Sequence, residues 1–275
     1  MKKSIVFTMV LCFSASFIFA DRVWKMFPDG RYAICEKIES WYKYDSKGNI
    51  ISFKDTDGRK YQKKYDSKGN IIFFKNTNGF EHRYKYDSNN KVIQITRNDG
   101  LTDFYEYDSS GNCTLWKDTY GFQTIYEYDS KGNCIHEKRT PDEFEVWYEY
   151  DSEGNLEHKK YSSDFDIWYR YDNNILDSEI NSDNVLTWYK YDSKGNLIYK
   201  KSEREEIDAF TEETWYKYDS KGNLIYKKSE TEETWYEYDS KGKLIYEKDS
   251  SGHESMYENE YSENGLLIHI IQYQR

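Results

Sequence analysis

The sequence has 275 residues, with 39 Lys and Arg against 50 Asp and Glu, so its formal net charge is −11. Such an acidic chain lacks the basic face that neutralises phosphates, which argues against nucleic acid and anionic lipid surfaces as partners. Aromatic residues make up 19% of the chain, and 29 residues are Tyr. Because a buried Tyr needs a partner for its hydroxyl, this composition favours a thin, partly hydrated sheet over a deep dry core.

The first twenty residues have the pattern of an export signal. A basic start is followed by a mostly apolar run over residues 4–19 and then by the small residue Ala20. We predict a signal peptide at 1–20 that is cleaved after Ala20, with cleavage near Ser16 and an uncleaved anchor as alternatives. No other segment approaches spanning length. The sequence therefore predicts an exported protein that is periplasmic, at the cell surface or secreted, with no membrane span in the mature chain.

A unit of about 21 residues is repeated about eleven times along the chain. Its anchor is Tyr-Asp, normally followed by Ser-x-Gly-Asn and an aliphatic residue. The Tyr-Asp pairs end at Asp45, Asp66, Asp87, Asp108, Asp129, Asp151, Asp172, Asp192, Asp219 and Asp239. No unit of this size buries its apolar face alone, so stacked units form the core. We predict an N-terminal cap at 21–40 and a repeat array at 41–275.

Each repeat is predicted to form a β-hairpin. Aromatic and β-branched residues flank a short polar cluster, in which Asp bonds its own backbone and Gly adopts a positive φ. The predicted structural turn residues are Asp45, Gly48, Asp66, Gly69, Asp192, Gly195, Asp219, Gly222, Asp239 and Gly242. A second turn containing Gly joins successive repeats, which gives two antiparallel strands per repeat. The predicted fold is all-β, with tandem hairpins in one long twisted, coiled antiparallel sheet.

A simple turn also predicts the register within each hairpin. In the ninth repeat the expected cross-strand pairs are Tyr218 with Leu224, Lys217 with Ile225, Tyr216 with Tyr226 and Trp215 with Lys227. Because side chains alternate between faces, Tyr226 is expected on the core face with Tyr216 and Tyr218. Equivalent residues of adjacent repeats should lie about 10 Å apart. Cys113 and Cys134 are such a pair, and that separation is too long for a disulfide, which needs Cα atoms within about 7 Å.

The repeat resembles a known family. The pattern Tyr-x-Tyr-Asp-x-x-Gly-Asn-Leu at 216–224 is similar to the YD repeat of the RHS family, and the second turn at 249–252 is similar to that repeat's other half. The resemblance runs from about Trp41 to Tyr273. It implies a long, coiling sheet of hairpins, as in the shells of bacterial toxins and in teneurins. We expect no toxin domain in this chain, because the repeats run almost to its end.

A weaker resemblance is to the choline- and glucan-binding repeats of cell-wall proteins, through the Trp-Tyr pair at Trp235 and Tyr236. The second Gly-Trp pair of those repeats is absent, so choline binding is not inferred. A row of Trp residues at one repeat position nevertheless favours stacking on a sugar or an extended polymer. The predicted ligand-binding row on the outer face is Trp147, Trp168, Trp188, Trp215 and Trp235. The alternative is a structural row, with cation–π contacts to Lys159, Lys200 and Lys227.

The sequence predicts no catalytic, metal or cofactor site. The Asp-Ser-Lys-Gly-Asn turn lacks the alternating oxygen ligands of a calcium loop. The five His residues are scattered without metal-ligand spacing, and no nucleophile–base group is evident. We therefore predict an exported, non-catalytic protein that binds a glycan or protein partner at the bacterial cell envelope. The alternative is a structural or shell-like RHS component associated with a separately encoded toxin, and an enzyme is the third option.

Overall fold

The computed structural model describes residues 21–204 and 210–275, and the predicted signal peptide at 1–20 lies outside these described residues. The described residues form 23 β-strands, which confirms the predicted all-β architecture. The strands are β1 (Asp21–Met26), β2 (Tyr32–Tyr44), β3 (Ile50–Asp55), β4 (Lys60–Tyr65), β5 (Ile71–Asn76), β6 (Glu81–Tyr86), β7 (Val92–Arg97), β8 (Thr102–Tyr107), β9 (Cys113–Asp118), β10 (Gln123–Tyr128), β11 (Cys134–Thr140), β12 (Glu145–Tyr150), β13 (Leu156–Tyr161), β14 (Asp166–Asp172), β15 (Ile175–Asn181), β16 (Leu186–Tyr191), β17 (Leu197–Arg204), β18 (Phe210–Tyr218), β19 (Leu224–Lys228), β20 (Glu233–Tyr238), β21 (Leu244–Asp249), β22 (Glu254–Tyr261) and β23 (Leu267–Gln274). Within the described part of the chain, no helix has the length and apolar character needed to cross a membrane.

Every strand pairs antiparallel with the next one along the chain, so each repeat contributes two strands as predicted. The Tyr-Asp turns join even-numbered strands to the odd-numbered strands that follow, as in β4 to β5, and the second turns join odd to even, as in β5 to β6. All Tyr-Asp turns therefore lie at one end of the sheet and all second turns at the other. Cys113 opens β9 and Cys134 opens β11, with β10 between them, and both thiols are free.

The sheet closes on itself, which the sequence did not predict. β2 pairs with β3 through residues 40–44 and with β23 through residues 36–41. Strands β2 to β23 thus form a closed 22-stranded sheet, called the ring below, and the β2–β23 pairing is its seam. The prediction of a coiled sheet is wrong. Accumulated twist brings the last strand beside β2, where pairing satisfies the backbone groups of two strands that would otherwise be edges.

A β-bulge after each Tyr-Asp turn shifts the register within the hairpin. Tyr218 lies opposite Leu224 as predicted, but Lys217 lies opposite Tyr226 and Trp215 opposite Lys228. The predicted pairs Lys217–Ile225, Tyr216–Tyr226 and Trp215–Lys227 are therefore wrong. The extra residue of the bulge turns every later side chain of the second strand to the other face. Tyr226 consequently shares a face with Trp215 rather than with the paired tyrosines.

The two faces of the ring differ in enclosure. We call the side that carries both tyrosines of the Tyr-x-Tyr-Asp pattern the tyrosine face, and the opposite side the tryptophan face. Val146 on the tyrosine face is 2% exposed, whereas the adjacent Trp147 on the other face is 37% exposed. Side chains converge on the concave side of a closed sheet, so the tyrosine face lines the lumen. A second argument gives the same result. Strand twist imposes a right-handed tilt on the strands, and this tilt, combined with the register around the ring, places the tyrosine face on the lumen side.

The buried core is small and lies at the seam. It comprises Phe27, Cys35 and Tyr273, with Val23 and Met256 packed against it. Most other strand residues are half-buried, in agreement with the thin sheet expected from the composition. β1 pairs with the N-terminal half of β2, beyond the end of β3, so the boundary predicted at residue 41 falls inside β2.

Candidate functional site

The Tyr-Asp turn is a self-contained hydrogen-bonded unit. One carboxylate oxygen of Asp45 accepts the backbone N–H groups of Lys47 and Asn49, each at 2.9 Å, and the other accepts the Asn49 side-chain amide at 2.9 Å. The Asn49 side-chain bond is the main cause of the lowered pKa of Asp45. Gly48 adopts a φ of +84°, a conformation that favours glycine. The Asp carboxylate is thus committed to its own turn.

The same arrangement of Asp, Gly and Asn recurs at four of the five predicted turns, namely those of Asp45, Asp66, Asp192 and Asp219. The turn of Asp239 differs, because Lys243 replaces the Asn and Tyr261 donates its hydroxyl to Asp239 at 2.6 Å. All the Gly residues predicted at these turns have positive φ, between 78° and 91°.

Tyrosine hydroxyls bind adjacent repeats together on the lumen side. The hydroxyl of Tyr65 donates to the carbonyl of Ile50, the first strand residue after the preceding turn, at 2.9 Å. Burial raises the pKa of Tyr65 and raises that of the equivalent Tyr128 to about 12. The same contact is made by Tyr86, Tyr107, Tyr128, Tyr150, Tyr218 and Tyr238. The Tyr of the Tyr-Asp pair is therefore an inter-repeat connector.

The seam reproduces this contact between the two ends of the array. Tyr44 of the first repeat donates to the carbonyl of Leu267 in the last repeat at 2.7 Å. Additional ion pairs lie at the same junction: Lys25 bonds Glu258, and Arg275 contacts Asp29 at 3.0 Å. The first and last repeats thus meet as neighbouring repeats do, with extra charge pairs.

The five predicted Trp residues lie in a row on the outer, tryptophan face. They occupy alternate strands, from β12 to β20. Trp147, Trp168 and Trp235 are 37%, 42% and 38% exposed, and Trp188 and Trp215 are half-buried. The structure therefore brings the predicted residues together on one face of the sheet.

Neighbouring side chains contact the rings of this row. Tyr199 packs on Trp215 and Tyr226 on Trp235, with ring centroids 5.6 and 5.7 Å apart. Lys201 lies over Trp188 at 5.5 Å. The predicted Lys partners were wrong, because the bulge turns them to the lumen, where Lys159 lies over Tyr148 and Lys200 over Tyr189.

Three histidines each form the same kind of side-chain cluster, which the sequence analysis did not predict. His136 stacks on Trp147, His158 on Trp168 and His269 on Trp41, with centroids 5.1 to 5.3 Å apart and planes within 10°. Each imidazole lies between two carboxylates. For His269 these are Glu39 at 3.1 Å and Glu260 at 3.0 Å. His136 lies between Glu127 and Glu145, and His158 between Glu149 and Asp166.

A signal for this cluster was present in the repeat itself. Aligned on their turns, all three histidines follow the last turn residue by three positions: Asn133 precedes His136, Asn155 precedes His158 and Leu266 precedes His269. The three histidines are scattered in the linear sequence, but they occupy the same position of their repeats in the ring. Within residues 21–204 and 210–275, no group of three or more His, Cys, Asp or Glu side chains is arranged to hold a metal ion.

Comparison with known families agrees with this repeat geometry. The teneurin YD-shell family model matches residues 31–176, more than half of the chain. The chain belongs to the teneurin YD-shell family. This confirms the resemblance to YD repeats. No curated protein matches the sequence of this YD-shell chain.

Solved structures include distant similarities to the YD-shell chain. TcdB2-TccC3 without its hypervariable C-terminal region is 14% identical, with 86% of this chain and 14% of that chain covered and a TM-score of 0.47. The Photorhabdus luminescens Tc holotoxin pore is also 14% identical, with coverage of 80% and 15% and a TM-score of 0.43. A porin-like protein from Bacteroides uniformis is 11% identical, with coverage of 87% and 96% and a TM-score of 0.34. The chain thus spans about a seventh of the Tc chains that it matches.

Proposed function

We propose that this YD-shell chain is a non-catalytic structural component, an exported wall that encloses a lumen and associates with a separately encoded protein. The seam carries this proposal. Tyr44 and Leu267 join the ends of the array by the contact that joins its internal repeats, so closure is built into the repeat. The chain also belongs to a YD-shell family, which supports the same role.

The size of the ring supports an enclosing role. Twenty-two tilted strands at their normal spacing give a ring with a diameter on the order of 40 Å. Side chains cannot fill a closed sheet of this width, in contrast to an eight-stranded one. The lumen face carries tyrosine rings and lysines such as Lys159 and Lys200. A wall of this kind offers a polar, aromatic interior to an enclosed or inserted polypeptide.

A toxin component is the partner class that the comparisons favour. The similar solved structures are named as TcdB2-TccC3 assemblies and as a Tc holotoxin pore. We extend this to the present chain as a proposal about a protein partner and about export.

Glycan or protein binding at the outer Trp row receives less support. Sugar stacking uses an open face of an indole ring, and each ring of the row already contacts a neighbouring side chain: His136, His158, Lys201, Tyr199 or Tyr226. Trp147 and Trp168 are partly exposed, but each also has an imidazole stacked on its ring about 5 Å away. These contacts favour the structural alternative for the row.

Photo-crosslinking from both faces of one strand tests the proposal. Lys63 and Lys64 are adjacent in β4, and their side chains point to the lumen and to the outer face, respectively. Each is replaced in turn by a photoreactive amino acid in the full chain, expressed in the producing bacterium. We expect a discrete adduct with another protein from position 63 and none from position 64. Adducts from position 64 alone would favour binding at the outer surface, and no protein adduct at either position would contradict the proposed partner.

A further inference from the structure

The terminal hairpin β1–β2 presents an apolar surface on the face opposite to the seam core. Trp24 is paired with Ile34 and Met26 with Tyr32, so all four side chains lie on one face. They are 66%, 53%, 51% and 65% exposed, in that order. We call these four residues the apolar patch. Together they expose roughly 500 Å² of largely apolar surface, the size at which patches on soluble proteins are often functional.

The same hairpin has an open backbone edge. Phe27 donates its N–H to the carbonyl of Arg31, and hydrogen-bonded pairs alternate along an antiparallel ladder. Val23 and Lys25 therefore bond β2, while Arg22, Trp24 and Met26 direct their N–H and C=O groups away from it. Among the described strands, β1 pairs with β2 alone, and the strands of the ring pair on both sides. An unpaired edge of this kind is a template for another strand.

We propose that two copies of this chain pair edge to edge through β1, as antiparallel strands related by a two-fold axis at Val23. This register matches the outward backbone groups of Arg22 with those of Trp24 in the second copy, and the converse. The guanidinium of Arg22 then lies beside the indole of the opposing Trp24 twice, a favourable cation–π arrangement. The sequence of β1 is therefore complementary to itself.

The geometry of the pair brings both patches together. Antiparallel edge pairing keeps the two hairpins in one continuous sheet, so both apolar patches lie on the same side. The two-fold axis reverses strand direction, which makes the second-turn ends of the two rings face each other. Because the two patches lie side by side in one sheet, they join into one apolar surface, and the contact between the copies is limited to the backbone edge and to the side chains of Arg22 and Trp24 that meet across it. The expected dimer is consequently concentration-dependent.

A shallow depression beside the patch adds room for the second copy. It has a volume of about 430 Å³ and is lined by Arg22, Ile34, Glu36, His253, Gln274 and Arg275. Arg275 there is already engaged with Glu254 and Asp29, whereas Arg22 lies next to the open edge. The depression is therefore continuous with the apolar patch on the Ile34 side.

Sedimentation analysis of the full exported chain tests the proposal, with the intact mass recorded to define its N-terminus. We expect a weak monomer–dimer equilibrium, with a dissociation constant between about 1 and 100 µM. Trp24→Lys combined with Met26→Lys should abolish the dimer, because the first change places a like charge opposite Arg22 of the second copy. Tyr120→Lys, at a 74% exposed aromatic residue in a second turn, should leave it unchanged.

A backbone variant separates edge pairing from simple patch contact. Arg22→Pro removes an N–H on the open edge and leaves the β1–β2 ladder intact, so it should also yield monomers. If circular dichroism shows that the double variant at Trp24 and Met26 misfolds, the Arg22→Pro variant alone tests the proposal. A wild-type chain that stays monomeric throughout, or a dimer unaffected by either variant, would overturn the proposal. A dimer that survives Arg22→Pro alone would overturn the edge pairing.

Discussion

Tyr44 donates its hydroxyl to the carbonyl of Leu267, 223 residues away, at 2.7 Å. The equivalent bond between Tyr65 and Ile50 spans 15 residues and measures 2.9 Å. One side-chain contact thus joins neighbouring repeats and also joins the two ends of the chain. The seam therefore uses the same bond as the internal repeats, and it adds ion pairs such as those of Lys25 and Arg275 and the small buried core around Cys35.

Removing the hydroxyl at the seam should cost as much as removing it inside the array. Tyr44→Phe and Tyr65→Phe each delete one hydrogen bond to a carbonyl, and we expect each to lower the free energy of unfolding by about 1 kcal/mol. Urea denaturation followed by Trp fluorescence measures both. A Tyr44→Phe variant as stable as wild type, beside a destabilised Tyr65→Phe, would indicate that the seam bond is absent in solution.

Deleting one repeat should give a smaller closed ring. Residues 188–203 and 215–230 are identical, so deletion of 188–214 rejoins the chain at an equivalent position and removes two strands. Because each repeat contacts only its neighbours, the remaining repeats should close as 20 strands with a diameter smaller by about a tenth. Small-angle scattering measures the change in radius.

A cross-seam disulfide reports closure in both the full and the shortened chain. Ser40 and Ile270 are cross-strand partners in the seam, so Ser40→Cys with Ile270→Cys should oxidise readily. Ser40→Cys paired with Gln94→Cys, in distant β7, is the control that should not. Failure of the seam pair to form would mean that the ring is open.

The turn aspartates should make the ring sensitive to acid. Hydrogen bonds from Asn lower the pKa of Asp45, Asp66, Asp192 and Asp219. A carboxyl whose pKa is lower in the folded state contributes stability above its unfolded pKa of about 3.9 and loses it as the pH falls through the folded value. The denaturation midpoint should therefore fall steeply as the pH drops below about 4. Its change with pH should be smaller between pH 5 and 7. Asp219→Asn should be less stable at pH 7 yet lose less on acidification, and an equal loss would contradict this assignment.

The outer Trp row should not bind polysaccharide. Because one face of Trp147 and one face of Trp168 are already stacked on His136 and His158, we expect no saturable co-sedimentation with cell-wall or capsular polysaccharide. The comparison is a variant with all five predicted Trp residues changed to Ala, checked for folding. Binding by the wild type that the variant loses would restore the glycan interpretation.

The sequence predicted neither the His–Trp clusters nor the bulge. The repeat period predicted the hairpins, the two strands per repeat and the positions of Gly48 and Gly222. It misassigned Tyr226 and Lys227, because one extra bulge residue inverts the face of every later side chain. The partner of His269 is Trp41, more than 200 residues away, so proximity in the sequence gave no indication of that stack.

The sequence by itself determined the local structure of this protein: turns set by Asp and Gly, hairpins set by alternating aromatic residues, and stacking set by the 21-residue period. These depend on contacts within one repeat or between neighbours, which the pattern repeats many times. Only the tertiary structure decided that β23 meets β2, that the tyrosines line the lumen and that β1 pairs with β2 alone among the described strands. Closure depends on twist and tilt summed over 22 strands, and a small change per repeat would separate the ends.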